Sequence, residues 1–159
     1  MIFVLLGTQD NSFERLLKEL DRLKKNKIIK EKIIVQAGHT KYESDNMEIL
    51  DFIDKDKFSE YQDKADLIIT HGGVGSILSS LGKNKKVIAV PRLEKYGEHV
   101  NDHQLDIVEN FSNKGYIIGV KDVKELEKAY KEIKKFKPNK YISNNDKFVK
   151  IVEDFINMC

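Results

Sequence analysis

Little in this chain could cross-link it or divide it. Cysteine occurs once, at Cys159, and proline twice, at Pro91 and Pro138. One cysteine excludes a disulfide within the chain and makes a reducing cytoplasm the expected setting. No stretch rich in Pro, Gly or Ser marks a linker and no segment repeats, so the 159 residues are expected to form one domain. Long apolar runs are lacking too. Ile2–Leu6 turns polar after Gly7, too short for a signal sequence or a membrane span, and no basic segment precedes it. Membrane association is therefore expected only through a partner or surface patches. An excess of one charge is also missing, with 28 basic residues against 26 acidic ones. Lysine pairs such as Lys24-Lys25, Lys85-Lys86 and Lys134-Lys135 have acids nearby. The one-sided basic stripe with stacking aromatics that nucleic acid requires is absent.

What is present is a 40% apolar content, ample for a core. It comes as short apolar runs, each followed by an amphipathic stretch. Ile2–Leu6, Ile33–Val35, Glu48–Leu50, Leu67–Thr70, Val87–Val90 and Tyr116–Val120 read as strands. Phe13, Leu16, Leu17, Leu20 and Leu23 share one helical face. Further helices are expected over 57–64, 74–81 and 99–111, and from an Asp122/Glu125 capping box through Lys134. Phe148, Ile151, Val152, Phe155 and Ile156 give a final helix over 144–157 its apolar face. Continuously apolar strands alternating with helices predict a parallel sheet covered on both sides, a doubly wound, Rossmann-like α/β domain. Ligands bind such sheets in the loops at the carboxyl ends of the strands.

Three of those loops carry chemistry. The first, Gly7-Thr8-Gln9-Asp10-Asn11-Ser12, has a glycine for a tight turn and polar groups that contact an anion or cap the next helix. The second, His71-Gly72-Gly73-Val74-Gly75-Ser76, lets the backbone approach a ligand and opens a helix, whose free amides suit a diphosphate. His71, at the strand tip, is placed to donate to a phosphate or a sugar. The third, Pro91 to Gln104, crowds Glu98, His99, Asn101, Asp102, His103 and Gln104 together, groups suited to ribose or hexose hydroxyls. A dinucleotide fingerprint, a P-loop and a nucleophile elbow are each excluded by a missing glycine or lysine. His99 and His103 are spaced as a zinc pair, but Val100 stands where a metalloprotease needs glutamate and no third ligand is evident. No metal or other cofactor is expected.

His-Gly-Gly-x-Gly-Ser after a strand, then Val-Pro-Arg, then Glu-His-x-x-x-His-Gln resembles the C-terminal domain of family 28 glycosyltransferases of the GT-B fold. The likeness runs from Ile2 to Val120. It is greatest to small stand-alone donor subunits, those of bacterial capsular and exopolysaccharide transferases and the eukaryotic subunit adding the second GlcNAc to dolichol diphosphate. The resemblance implies one donor-binding half of a GT-B enzyme. It assigns the diphosphate to Gly7, Thr8 and Gln9 on one side and Gly72, Gly73, Val74, Gly75 and Ser76 on the other, with His71 beside it. It sets Ile53, within Phe52-Ile53-Asp54, against the base, and Asn101, His103 and Gln104 against the sugar, with His99 alongside. The family's ribose-gripping glutamate falls at Ser79, so either Glu98 takes over the ribose or the nucleotide is held less tightly.

The implied activity is inverting transfer of a hexose, galactose or GlcNAc, from a UDP-sugar to a lipid-linked acceptor. A separate membrane-associated subunit would bind the acceptor and supply the base, so no catalytic residue is assigned within this chain. The expected location is cytoplasmic, against the inner face of the membrane through that partner. The alternative is a non-catalytic nucleotide-sugar-binding module that enhances a partner enzyme. A self-sufficient hydrolase or epimerase would need a second domain.

Overall fold

A computed structural model describes residues 1–142. The final helix expected over 144–157 lies outside the described residues. Six strands run along the chain, β1 (Ile2–Leu5), β2 (Ile33–Gln36), β3 (Glu48–Leu50), β4 (Leu67–His71), β5 (Lys86–Val90) and β6 (Ile118–Gly119). Between and after them lie α1 (Glu14–Lys25), α2 (Lys55–Lys64), α3 (Val74–Gly82), α4 (His103–Asn113) and α5 (Leu126–Ile133). The strands form one sheet in the order β3-β2-β1-β4-β5-β6, and every pairing is parallel.

Alternate residues of each strand face opposite sides, so apolar strands feed two cores. Ile2, Val4, Ile33, Val35, Ile69 and Ile88 pack under Leu16, Leu17, Leu20 and Leu23 of α1 and Leu126, Ala129 and Ile133 of α5. Phe3, Leu5, Ile34, Ile68 and Val87 pack under Ile77 and Leu81 of α3 and Val108 of α4. The Phe3 ring meets Phe58 and Tyr61 of α2 at 5.6 and 5.5 Å between centroids. The chain thus winds outward in both directions from β1 and β4, which lie side by side at the centre. At that point the loops leaving the two strands part to opposite faces and leave a crevice.

The doubly wound architecture and all six strands agree with the sequence pattern, but three segments differ in detail. The helix expected from His99 starts only at His103. Gly97 turns back in the left-handed region at φ 67°, and Asn101 Oδ1 accepts from His103 N at 3.2 Å, so residues 99–102 form a separate loop. The strand expected over Tyr116–Val120 shrinks to two residues. It lies at the sheet edge, and Gly119 N donates to Ser112 Oγ of α4 rather than along a ladder. At Asp122 the expected box forms one step out of register. Asp122 accepts from Lys124 N and Glu125 from Lys121 N, and a 3-10 turn precedes α5.

Gly119 fixes how closely α4 lies on the sheet. A Cβ there would stand 2.6 Å from Val108 Cγ1 and 3.2 Å from Ser112 Cβ. Gly119→Ala is expected to push α4 outward and lower stability by about 1–3 kcal/mol, measurable by urea unfolding.

Candidate functional site

An open cleft of about 510 Å³ lies at the carboxyl ends of β1 and β4, within the range of small-molecule sites. Gly7, Thr8 and Gln9 line it from the first loop, and His71, Gly73, Gly75 and Ser76 from β4 and α3. His99, His103 and Gln104 close it from the third loop, with Gln36 and Phe58 completing the wall. Segments up to 97 residues apart in sequence therefore meet where the sheet topology reverses.

The N-terminus of α3 opens into this cleft. Its N-cap, Gly73, offers no side-chain oxygen, and the first turn carries no acid. The amides of Val74, Gly75 and Ser76 have no intrahelical acceptor, so the helix presents uncompensated positive dipole to whatever enters. Gly72 N is the exception, since it donates to Gln104 Oε1 at 3.1 Å.

The glycines serve different masters. A Cβ on Gly7 would come within 2.7 Å of the His71 ring, and one on Gly73 would overlap that ring outright. A Cβ on Gly72 would strike Gln104, whereas one on Gly75 meets nothing. Tight packing among protein groups thus explains Gly7, Gly72 and Gly73, and leaves Gly75 free toward the cleft.

His71 is buried between those two glycines. Its Nδ1 lies 3.3 Å from the Leu5 carbonyl, which can only accept, so Nδ1 holds the proton. Burial pushes the imidazole down to about 4, against a smaller upward pull from the Leu5 carbonyl; Arg92 and His99 lower it further. At neutral pH the ring is uncharged and Nε2 carries a lone pair. Donation to a phosphate, expected from the sequence, therefore requires a second proton.

Gln104 joins two loops. Its Oε1 accepts from Gly72 N and, at 3.0 Å, from Arg92 N. Among the described residues its Nε2 has no partner, and the side chain lines the cleft. His99 meets the Gln9 amide at 3.0 Å, and its ring stands edge-on to His103 at 4.6 Å. Asn101 is exposed and its Oδ1 is taken by the backbone and Nδ1 of His103.

Glu98, expected at the ribose, sits apart from the other candidates. It is 3% exposed and does not line the cleft. Arg15 of α1 grips it with Nε on Oε1 at 2.8 Å and NH2 on Oε2 at 2.9 Å, while Leu93 N donates to Oε2. These three contacts turn the carboxylate toward Arg15 and Leu93, away from the cleft. Ser79, at the position of the family's glutamate, accepts instead from Gln62 of α2. Ile53 packs half-buried against the core on the α2 face and does not line the cleft. Val74 points outward. Asn11 and Ser12 do not cap α1. Asn11 donates to Gly97 O, and the Phe13 amide finds Thr40 Oγ1, brought by the loop after β2.

Sequence reasoning missed Arg15, Gln36, Phe58 and Arg92. Arg92 stood in a recognised motif, Val-Pro-Arg, but nothing local marks it as buried. Arg15 read as one more solvated charge on an amphipathic helix. Among the described residues no three His, Cys, Asp or Glu side chains cluster as a metal site.

A model of the family described as "Glycosyltransferase family 28 C-terminal domain" matches residues 1–158. Over 105 residues the chain is 31% identical to the UDP-N-acetylglucosamine transferase subunit ALG13 of Candida albicans, covering 66% of this chain and 30% of that protein. Over 70 residues it is 40% identical to the protein of the same name from Candida glabrata, covering 43% and 33%. The match thus spans about a third of these relatives. The solution structure of ALG13 superimposes over 94% of this chain and 93% of that one, with a TM-score of 0.64 and 20% identity. The crystal structure of Acinetobacter baumannii MurG does so over 82% and 40%, with a TM-score of 0.58 and 18% identity. At these identities the structural likeness establishes a shared fold.

The state of His71 makes stability depend on pH. The unfolded ring takes a proton below about pH 6.5, while the folded ring resists until about 4. Stability is therefore lost as pH falls through that window and levels off below it. Between pH 7 and 5 the wild type is expected to lose about 2 kcal/mol more than His71→Gln, read from paired urea titrations.

Proposed function

The chain belongs to the family of glycosyltransferase family 28 C-terminal domains, and from that premise we propose that it is the donor-binding subunit of a two-component glycosyltransferase. The cleft takes the nucleoside diphosphate of a UDP-sugar, with the diphosphate against the amides of Val74, Gly75 and Ser76. The observation that carries this reading is the acid-free, uncapped N-terminus of α3, which opens at the switch point of the sheet. A doubly charged pyrophosphate matches it in charge and in hydrogen-bonding direction.

On this reading the sugar extends toward Gln104 Nε2, His103 and His99. The yeast relatives are named as UDP-N-acetylglucosamine transferase subunits, which supports GlcNAc over galactose. Inversion at the anomeric carbon leaves UDP with new negative charge, and the α3 amides are fixed donors for it, so no metal is needed. His71 Nε2, a lone pair at neutral pH, accepts a hydroxyl proton or becomes a cation only when an anion draws a proton to it. The acceptor, a lipid-linked sugar, and the general base come from a separate membrane-associated subunit. Among the described residues no helix is long and apolar enough to cross a membrane. The protein works in the cytoplasm, held to the inner membrane face by that partner. The resemblance of the combined motifs over Ile2 to Val120 to small stand-alone donor subunits is the ground for a proposed role in capsular or exopolysaccharide assembly.

Calorimetric titration with UDP, UDP-GlcNAc, UDP-galactose and GDP is the direct check. Uridine nucleotides are expected to bind with a Kd of about 1 mM or tighter and GDP more weakly; transfer is expected only once the partner is added. Robust transfer by the pure chain would sink the two-subunit assignment. A second prediction separates the α3 amides from general charge effects. Ser76→Asp puts a carboxylate in the first turn, so it should stabilise the fold by about 0.3–1 kcal/mol while weakening UDP binding by about tenfold or more. Equal UDP affinity in that variant would remove the diphosphate from this helix.

A further inference from the structure

We propose that the Arg15–Glu98 ion pair is a positioning device for the segment His99–Gln104, and that it sets discrimination between sugars more than affinity for the nucleotide. The inference rests on the donor-binding reading for its functional half alone.

Arg15 lies in the first turn of α1 and holds the third loop at both ends. NH2 donates to Pro91 O at 3.2 Å, where the loop leaves β5. The same guanidinium makes its bidentate contact with Glu98, where the loop turns toward α4. A fork of this geometry fixes direction as well as distance. Glu98 in turn accepts from Leu93 N, which closes the loop on itself. The outer side is braced as well. The Arg15 guanidinium lies over the Tyr96 ring at 4.4 Å, and Tyr96 OH donates to Asp122 Oδ2 at 3.2 Å.

The clamp ends one residue before the polar groups of the cleft begin. His99 follows Glu98 directly and carries the Gln9 contact, and His103 rests against it. None of these contacts touches the amides of Val74, Gly75 or Ser76, which are set by β4 and α3. Gln104, which accepts from Gly72 N, is also held by Arg92 N, so disturbing the clamp moves His99 and His103 and leaves the phosphate-facing amides in place. The burial argues the same way. Glu98 is almost fully buried and the Arg15 side chain nearly so, and a buried pair gains little net stability over an apolar one of similar volume. What such a pair supplies is a fixed direction for the loop.

The test uses Arg15→Lys, which keeps the charge and loses the fork, and Glu98→Gln, which keeps the Leu93 contact and loses the charge. Two measurements are made. Hydrogen exchange on the chain alone reports whether residues 97–104 loosen, independent of any ligand. Calorimetry with UDP, and kcat/KM for UDP-GlcNAc and UDP-galactose with the partner present, report the functional half. Faster exchange confined to 97–104, UDP affinity within about twofold of wild type, and a loss of about tenfold to a hundredfold in kcat/KM for the better sugar are expected. The preference between sugars should narrow, and the double variant should cost no more than either single one. Unchanged exchange overturns the positioning role. UDP affinity and kcat/KM falling in the same proportion overturns the sugar-specific role and leaves a general structural one. If the wild type binds no uridine nucleotide, the donor reading fails, and the exchange result still decides the clamp.

Discussion

The guanidinium of Arg92 is 1% exposed and faces carbonyls rather than a carboxylate. It donates to Leu6 O at 2.8 Å, Asn11 O at 2.6 Å and Glu98 O at 3.3 Å, and lies over the Phe13 ring at 4.9 Å. Those carbonyls belong to the end of β1, the first loop and the third loop. Such groups have left the sheet ladder without entering a helix, and burying them unpaired would cost about 1–3 kcal/mol each. One planar cation satisfies all three. Burial lowers it to about 10, with Glu98 pulling the other way, so it stays charged at neutral pH. Several polar contacts around the cleft connect to that fastening. The Arg92 amide takes Gln104 Oε1, Gln104 takes Gly72, and Asn11 takes the Gly97 carbonyl.

The two arginines divide the work of holding the third loop. Arg92 reaches in from the loop itself toward the strand ends, and Arg15 reaches across from α1. Between them, the loop is held against the sheet without forming any strand or helix over residues 97–102. A polar segment of this kind is defined only by its tertiary partners. Periodicity could not place it, which is why the sequence pattern ran the helix back to His99.

Legibility in the sequence follows the range of the forces involved. Strands such as Leu67–Ile69 and helices such as Glu14–Lys25 advertise burial through local spacing, and the parallel, doubly wound arrangement followed from alternation. The cleft's position came from the rule for parallel sheets, and its glycines and histidines stood in recognisable strings. Long-range polar pairings left no such trace. Nothing near Glu98 announces Arg15, 83 residues away, so a buried partner looked like a free carboxylate. Phe58 and Gln36 enter the wall because β2 and α2 happen to flank β1, a fact of topology. Glycine misled in another way. Three of the positions in question are explained by protein neighbours pressing on them, and Gly75 alone by open space.

The parallel order of the sheet has a kinetic side. β1 and β4 form the central pair, yet β4 begins at residue 67 and the loops that seal the crevice end at Gln104. Closing contacts over such separations is slow, because chain entropy is lost before any pairing compensates for it. A ribosome will have released β1 long before its partner exists, and its apolar residues must wait, exposed to other chains. The crevice thus cannot form until Gln104 has emerged, and the interval before then leaves the central strands open to aggregation or to a chaperone.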